Sequence, residues 1–419
     1  MTASLWTNRE FIAFAIGQSV DRFSASAMTV LLGFQVYTLR GEPLDLALLG
    51  AVEVVPALTL LLFAGDIADR VSRRGILKVT TLLLAALAAL LAAASAGDKG
   101  LMAVLLASAL LSASFRAFQH PAAVGLEAQV LPADQVFRGV PALALSVRVA
   151  DMMGPVVMGF VWAAAGPVVT YGILAALFAT SFCAFVFGIG EKPVYARGDG
   201  SSPFARIREG ITYVFRNQVL VGSMALDLFA VFFGGAAALL PVFATDILQV
   251  GPAGLGFLRA ATAAGALAAA LFATRAMPKE RAGLALHGVV AGFGVSMIVF
   301  GLSTSFVLSL AALFAAGVCD GMSMVIRQAI LRLASPEHLR SRIAAVRMVF
   351  VGSSNELGAV ESGLAASLLG PARAVWAGGV LTILVVGAVA WRMPLLVNLN
   401  LIGYGPGAHP VAPEPKPAA

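Results

Sequence analysis

The sequence predicts an all-α, polytopic membrane protein of twelve transmembrane helices in two six-helix pseudo-repeats. Three observations carry this. Hydrophobic residues make up 59% of the 419 and charged residues only 12%, with a mean hydropathy of +0.91, far outside the soluble globular range. Apolar blocks of about twenty residues or more, long enough for the hydrocarbon core, recur from end to end. Finally, residues 132–160 lie on 336–364 without a gap, matching Pro132 with Pro336, Arg138 with Arg342, Gly154 with Gly358 and Gly159 with Gly363.

The spans run over 11–37, 44–64, 76–96, 100–119, 139–165, 168–189, 218–245, 252–276, 282–304, 306–328, 343–367 and 371–396. The first block is too long for a signal-peptide core and carries internal charges, so it is read as a retained span. An even number of spans puts both termini on one side. With that side cytoplasmic, nineteen of the 28 Lys and Arg fall in inner segments and only Arg40, Lys99 and Arg373 face outward. The positive-inside rule demands this asymmetry in a bacterial inner membrane. The net charge of +6 therefore reports topology and not a nucleic-acid partner.

Residues 1–189 form the first bundle and 218–396 the second. The connection 190–217 contains "SPFARIREGITYVFRN", with Phe204, Ile207, Ile211 and Val214 at helical spacing behind Ser202 and Pro203. A basic amphipathic helix on the inner membrane surface is expected there. The Gly/Pro-rich tail 397–419 reads as disordered. Cys183 and Cys319 lie far apart inside spans, so neither a disulfide framework nor a metal site is implied, and no cofactor is expected.

Charges inside the spans carry the chemistry. They are Asp21, Arg22, Glu53, Arg116, Arg148, Asp151, Asp227, Arg259, Asp320, Arg327, Arg347, Glu356 and Glu361. Each costs about 2.5 kcal/mol or more facing lipid at mid-depth, so each should face the interior or another charge. Asp21 lies ten residues into the first span, about 15 Å deep at the helical rise. "VDRF" (20–23) resembles "LDLF" (226–229), which places Asp21 opposite Asp227 across a central cavity. Asp21 and Arg22 are adjacent and point about 100° apart, so each needs its own partner from another helix. Arg148 and Asp151, three apart on one helix face, form an expected ion pair. Arg116, Arg327 and Arg347, near predicted span ends, have the aqueous face as an alternative to a partner. A lone carboxylate in a partly dry cavity can load and release a proton, which makes Asp21, Glu53 or Asp227 the coupling group.

The loop "GDIADRVSRR" (65–74) resembles the cytoplasmic signature of the major facilitator superfamily, with Gly65, Asp69, Arg70, Arg73 and Arg74 matching and Ser72 in place of a glycine. With Asp66, these residues are read as the conformational gate, an acid and bases that clasp neighbouring helix ends. "DMMGPVVMGF" (151–160) resembles the superfamily's exporter signature through Gly154, Pro155 and Gly159, with Asp151 and Met158 departing from it. "FRAFQHPA", "REGITYVFRN" and "DLFAVFFGGAAALLPVFATDIL" are similar to the proton-antiporter branch that contains the enterobactin exporter and macrolide efflux proteins. The resemblance implies a monomeric carrier that exports a small amphipathic molecule, a siderophore, macrolide or other drug, in exchange for protons. It also makes Arg116 a proton-relay residue. A lysophospholipid flippase and an importing carrier are the alternatives. His120, His287, His338 and His409 are scattered, no nucleophile motif is present, and no phosphate-cradling loop carries a lysine, so neither an enzyme nor an ATP-driven pump is expected.

Overall fold

The computed structural model describes residues 8–97, 100–132, 135–193, 211–278, 280–335 and 340–402. The first half comprises α1 (Arg9–Arg40), α2 (Pro43–Thr59), α3 (Leu61–Arg70), α4 (Arg73–Ala94), α5 (Leu101–Val130) and α6 (Val136–Phe187). The second comprises α7 (Gln218–Gly234), α8 (Gly251–Ala273), α9 (Ala282–Leu302), α10 (Phe306–Ala334), α11 (Arg340–Leu369), α12 (Pro371–Arg392) and the short α13 (Pro394–Val397).

Capping chemistry sets where both halves begin. Asn8 Oδ1 accepts from the Phe11 N–H at 3.1 Å, and Asn217 Oδ1 accepts from the Val219 and Leu220 N–H groups at 3.0 and 3.2 Å. Gly41, in the left-handed region at φ 71°, ends α1 with its N–H on the Tyr37 carbonyl. Inside α6, Gly166 at φ 76° followed by Pro167 breaks the helix into the two expected passes.

Among the described residues, eight helical segments are long and apolar enough to cross a membrane. The other expected spans, α1, α2 with α3, and α11, run beside them and carry Asp21, Arg22, Glu53, Glu356 and Glu361.

Several expected boundaries shift. The second span gives way from α2 to α3 at Leu60, one turn after Pro56. The helix expected over 218–245 is interrupted at Gly235, continues as a 3-10 turn over 236–239 and closes as a π turn over 243–247. Paired glycines at 234 and 235 favour the break, and the Ser362 hydroxyl satisfies the Gly235 carbonyl at 3.3 Å. The tail does not begin at 397: Leu399 is buried and its carbonyl accepts from the Gly283 N–H at 3.2 Å. In the connection, residues 211–216 are helical with Val214 buried, while the rest of the expected amphipathic helix lies outside the described residues. So does the tail beyond 402.

The apolar core has three parts, and their distribution gives the shape. One cluster spans both halves at the distal end, where α1 finishes and α2 starts, joining Phe34 and Leu49 to Phe243, Phe300 and Ala366. The other two lie toward the chain termini, one built from first-half residues such as Phe11 and Phe185, the other from 214–399 alone. The halves are fused distally and divide toward the terminal end.

Close backbone approach makes the distal fusion. A methyl group at Gly50 of α2 would fall 2.9 Å from Ala359 Cβ of α11, and one at Gly256 of α8 would fall 2.6 Å from the Pro155 carbonyl of α6. Phe160 and Phe257 meet edge to face across this seam at 5.5 Å between centroids. The Tyr37 hydroxyl donates to the Asp246 carboxylate, joining the distal ends of α1 and the π turn after α7.

Candidate functional site

A cavity of about 510 Å³ lies between the halves, with Arg22, Arg148 and Asp151 on one wall and Arg259, Asp320 and Asn355 on the other. A second, of about 370 Å³, lies inside the first half against Asp21, Gln119, His120 and Glu127. Arg22, Arg116, Arg148 and Asp151 line both.

Asp21 and Arg22 take separate partners, as their helical angle requires. Asp21 is buried and accepts from Gln119 Nε2 of α5 at 3.2 Å and Thr81 Oγ1 of α4 at 3.4 Å. Arg22 reaches the other way, its Nη2 3.0 Å from Asp151 Oδ1 on α6. Asp151 is therefore paired to Arg22, and the expected Arg148–Asp151 ion pair is not formed among the described residues. Three residues of separation put the two on one face, but α1 packs against Asp151 while Arg148 stays exposed to both cavities.

The symmetry expectation also needs correction. Asp21 and Asp227 do not face each other across the central cavity; each turns into its own half. Asp227 Oδ1 lies 2.7 Å from Arg327 Nη1 on α10, and Arg327 Nη2 lies 3.8 Å from Asp320. Arg327 and Arg116, both near predicted span ends, are held by carboxylates. Arg116 Nη1 donates to Thr29 Oγ1 at 2.6 Å and its Nη2 lies 3.4 Å from Glu53 Oε1. Glu53 in turn lies near Glu356 of α11, and Arg259 of α8 sits beside Asp151, Glu356 and Glu53.

The helix carrying Gly154, Pro155 and Gly159 is wedged between α1 and the second half. A methyl at Gly154 would fall 2.2 Å from the Phe23 carbonyl, and one at Gly159 would fall 2.5 Å from that of Pro252. Pro155 lacks the N–H that would meet the Asp151 carbonyl, and the Ser26 hydroxyl donates there at 2.7 Å.

Part of the stretch expected to act as a gate is described. Ser72, standing where a glycine was expected, caps α4 by accepting from the Gly75 N–H at 3.2 Å. Arg73 donates to the Gly125 carbonyl at 3.1 Å, and Arg74 to those of Phe185 and Val186 at 3.1 and 2.6 Å. The last two are orphan carbonyls of a helix C-terminus, the favoured place for a cation. Gly65 lies midway along α3 and Arg70 ends it, and the side chains of Asp66 and Asp69 lie outside the described residues.

A family model described as the Major Facilitator Superfamily matches residues 14–359. The chain belongs to the major facilitator superfamily. It is an integral membrane transporter of small molecules, not an enzyme. The multidrug efflux pump Tap of Mycobacterium tuberculosis (strain ATCC 25618 / H37Rv) is 26% identical over 378 residues, 86% of this chain and 88% of the relative. Tap of Mycolicibacterium fortuitum is 26% identical over 383 residues, 86% and 90% of the two chains.

Solved structures share the fold at low identity. A bacterial homolog to the human lysosomal transporter Spinster, in an inward-facing and unoccupied conformation, superposes with a TM-score of 0.70 at 14% identity, covering 95% of this chain and 98% of that one. The peptide transporter POT in complex with sulfate does so at 0.73 and 15%, covering 94% and 96%.

Sequence reasoning missed Thr81 and Gln119 as the partners of Asp21, and Tyr37 with Asp246 as the distal clasp. A glutamine inside a span was the available signal for the first. The second pair sits at helix ends, where polar residues are unremarkable.

Proposed function

We propose that this superfamily member is a proton-coupled exporter of a small amphipathic molecule, a drug or siderophore, working by alternating access as a monomer. It sits in the bacterial inner membrane with both termini cytoplasmic, so the end toward which the halves divide faces the cytoplasm. The efflux role named for the Tap relatives and the exporter-like helix 151–160 support the direction. The 510 Å³ cavity between the halves is the substrate site in this reading.

The observation that carries the coupling is the contrast between Asp21 and Asp227. Asp21 is held by two neutral donors, so gaining a proton strands no cation. Neutralising Asp227 would leave Arg327 buried without its partner at 2.7 Å. Glu53 likewise faces Arg116 at 3.4 Å, which leaves Asp21 as the one of the three carboxyls with no salt bridge among the described residues, and the smaller cavity lies against it apart from the substrate. Arg22 and Asp151 form the wall between the two cavities and can report occupancy from one to the other.

The test is accumulation of a compound panel in cells with and without the protein, with and without a protonophore. Protein-dependent depletion of at least one compound, lost with the protonophore and lost in Asp21→Asn, is the expected result. Depletion that persists unchanged with the protonophore and in Asp21→Asn removes the coupling assignment.

A further inference from the structure

The charged lining of the cavity between the halves is unequal, with Arg22, Arg116, Arg148 and Arg259 against Asp151 and Asp320 among the described residues. Both acids are already engaged. Asp151 holds Arg22 at 3.0 Å and Asp320 lies 3.8 Å from Arg327, while Arg116 is paired at 3.4 Å with Glu53, which is not part of the lining. Arg148 and Arg259 make no hydrogen bond and have no carboxylate oxygen within 4.0 Å among the described residues. Asp320 attracts Arg148 across the cavity, and Asp151, Glu356 and Glu53 attract Arg259, all from beyond that distance. A guanidinium stays charged at any physiological pH, so two of them at membrane depth call for negative charge from the occupant of the cavity.

Backbone register brings the two arginines to one place. Gly159 meets Pro252 and Gly256 meets Pro155, so α6 and α8 run antiparallel, with residue 259 level with 152 and residue 263 level with 148. Arg259 therefore comes in beside the Arg22–Asp151 pair, and Arg148 lies about one helical turn nearer the terminal end. Much of the remaining lining is apolar and comes from the second half, including Leu240, Phe293, Met297 and Leu313. We propose that the cargo is an anionic amphipath, its carboxylate, sulfonate or phosphate group held between Arg148 and Arg259 and its apolar body laid against the second half. The planar guanidinium fork matches paired oxygens of such a group, which a point charge does less well.

One arginine comes from each half, which ties cargo to closure. As the halves close at the terminal end the two cations approach and repel, and an anion between them turns that repulsion into attraction. This names the cargo class of the exporter reading and rests on it for transport alone, since binding can be measured without it.

Two fluorescent probes that share one ring system test this on the purified protein in phosphatidylcholine nanodiscs, with the signal of empty nanodiscs subtracted. Anilinonaphthalene sulfonate carries the acidic group and N-phenylnaphthylamine lacks it. The wild type is expected to bind the sulfonate about tenfold more tightly, the worth of a hydrogen bond to a charged group. Arg148→Gln and Arg259→Gln are each expected to remove most of that preference and Arg148→Lys to keep part of it, with thermal unfolding as the check on folding. The wild-type comparison needs no variant to fold. Sulfonate binding no tighter than that of the neutral probe overturns the anion site, as does a preference unchanged in both glutamine variants. Displacement of the bound sulfonate by decanesulfonate supports a free anionic cargo, and displacement by lysophosphatidylglycerol alone supports a lipid headgroup at the same arginines. Sulfonate-selective binding without protein-dependent depletion of any compound from cells overturns the exporter reading and leaves the anion site standing.

Discussion

The Ser26 hydroxyl donates to the Asp151 carbonyl at 2.7 Å, occupying the acceptor that Pro155, four residues on, cannot reach. A side chain of α1 thus completes the backbone of α6 at the turn where Asp151 holds Arg22. Ser26→Ala should cost about 1 kcal/mol, the net worth of one hydrogen bond, since both residues line the cavity between the halves. Pro155→Ala restores an N–H to that carbonyl, so Ser26→Ala should cost markedly less in its presence. Thermal unfolding of the four proteins of this double-mutant cycle in detergent measures the coupling.

Asp227 and Arg327 form an ion pair in which each side chain is 11% exposed, so removing one partner should be expensive. Asp227→Asn is expected to destabilise by about 3–5 kcal/mol and to lower the yield of folded protein. Replacing both residues with apolar ones of similar volume should recover most of that loss. Denaturant or thermal unfolding of the single and double variants checks both statements.

Tyr37→Phe removes the hydroxyl that joins the distal ends of the two halves through Asp246. Loss of a hydrogen bond to a charged group is worth about 1.5–3 kcal/mol, so the population open at the distal end should rise at least several-fold. Gly256→Val should act in the same direction by steric means, since even a methyl would meet the Pro155 carbonyl at 2.6 Å. Alkylation of a cysteine introduced at the distal mouth reads out the shift.

Glu10 sits at the terminal end of α1 before the first span, bonded to Lys192 and to the Gly190 N–H. Burial pushes its carboxyl up, but the Lys192 and Gly190 bonds outweigh this and hold it below the ordinary carboxylate value. A carboxyl depressed on folding contributes stability that is present above its unfolded pKa and lost as pH falls through the folded one. Acidification below the usual carboxylate range should therefore lower the melting temperature more in the wild type than in Glu10→Gln. Melting curves across that range make the comparison.

Much of the site was legible in the sequence because the cost of burying charge in a membrane is local and severe. It flagged Asp21, Arg22, Glu53, Asp151 and Asp227 without reference to any neighbour. Partners were harder. Arg148 is three residues from Asp151, yet the carboxylate pairs with Arg22, 129 positions away. Periodicity places residues on a face and is silent about which helix packs there. The approach of Glu53 to Glu356 had no sequence signal, because the gapless repeat match pairs Glu356 with Met152 and not with another acid.

The sequence by itself determined the helices, the break at Gly166 and Pro167, the duplicated halves and the need for Asp21 and Arg22 to look in different directions. These follow from hydropathy, backbone freedom and helical angle, all properties of short stretches. Only the tertiary structure decided that matching aspartates have unlike fates. Asp21 meets a glutamine and a threonine, whereas Asp227 meets an arginine. The repeat preserved the backbone, but the facing helices set whether a buried carboxyl meets a cation or neutral donors.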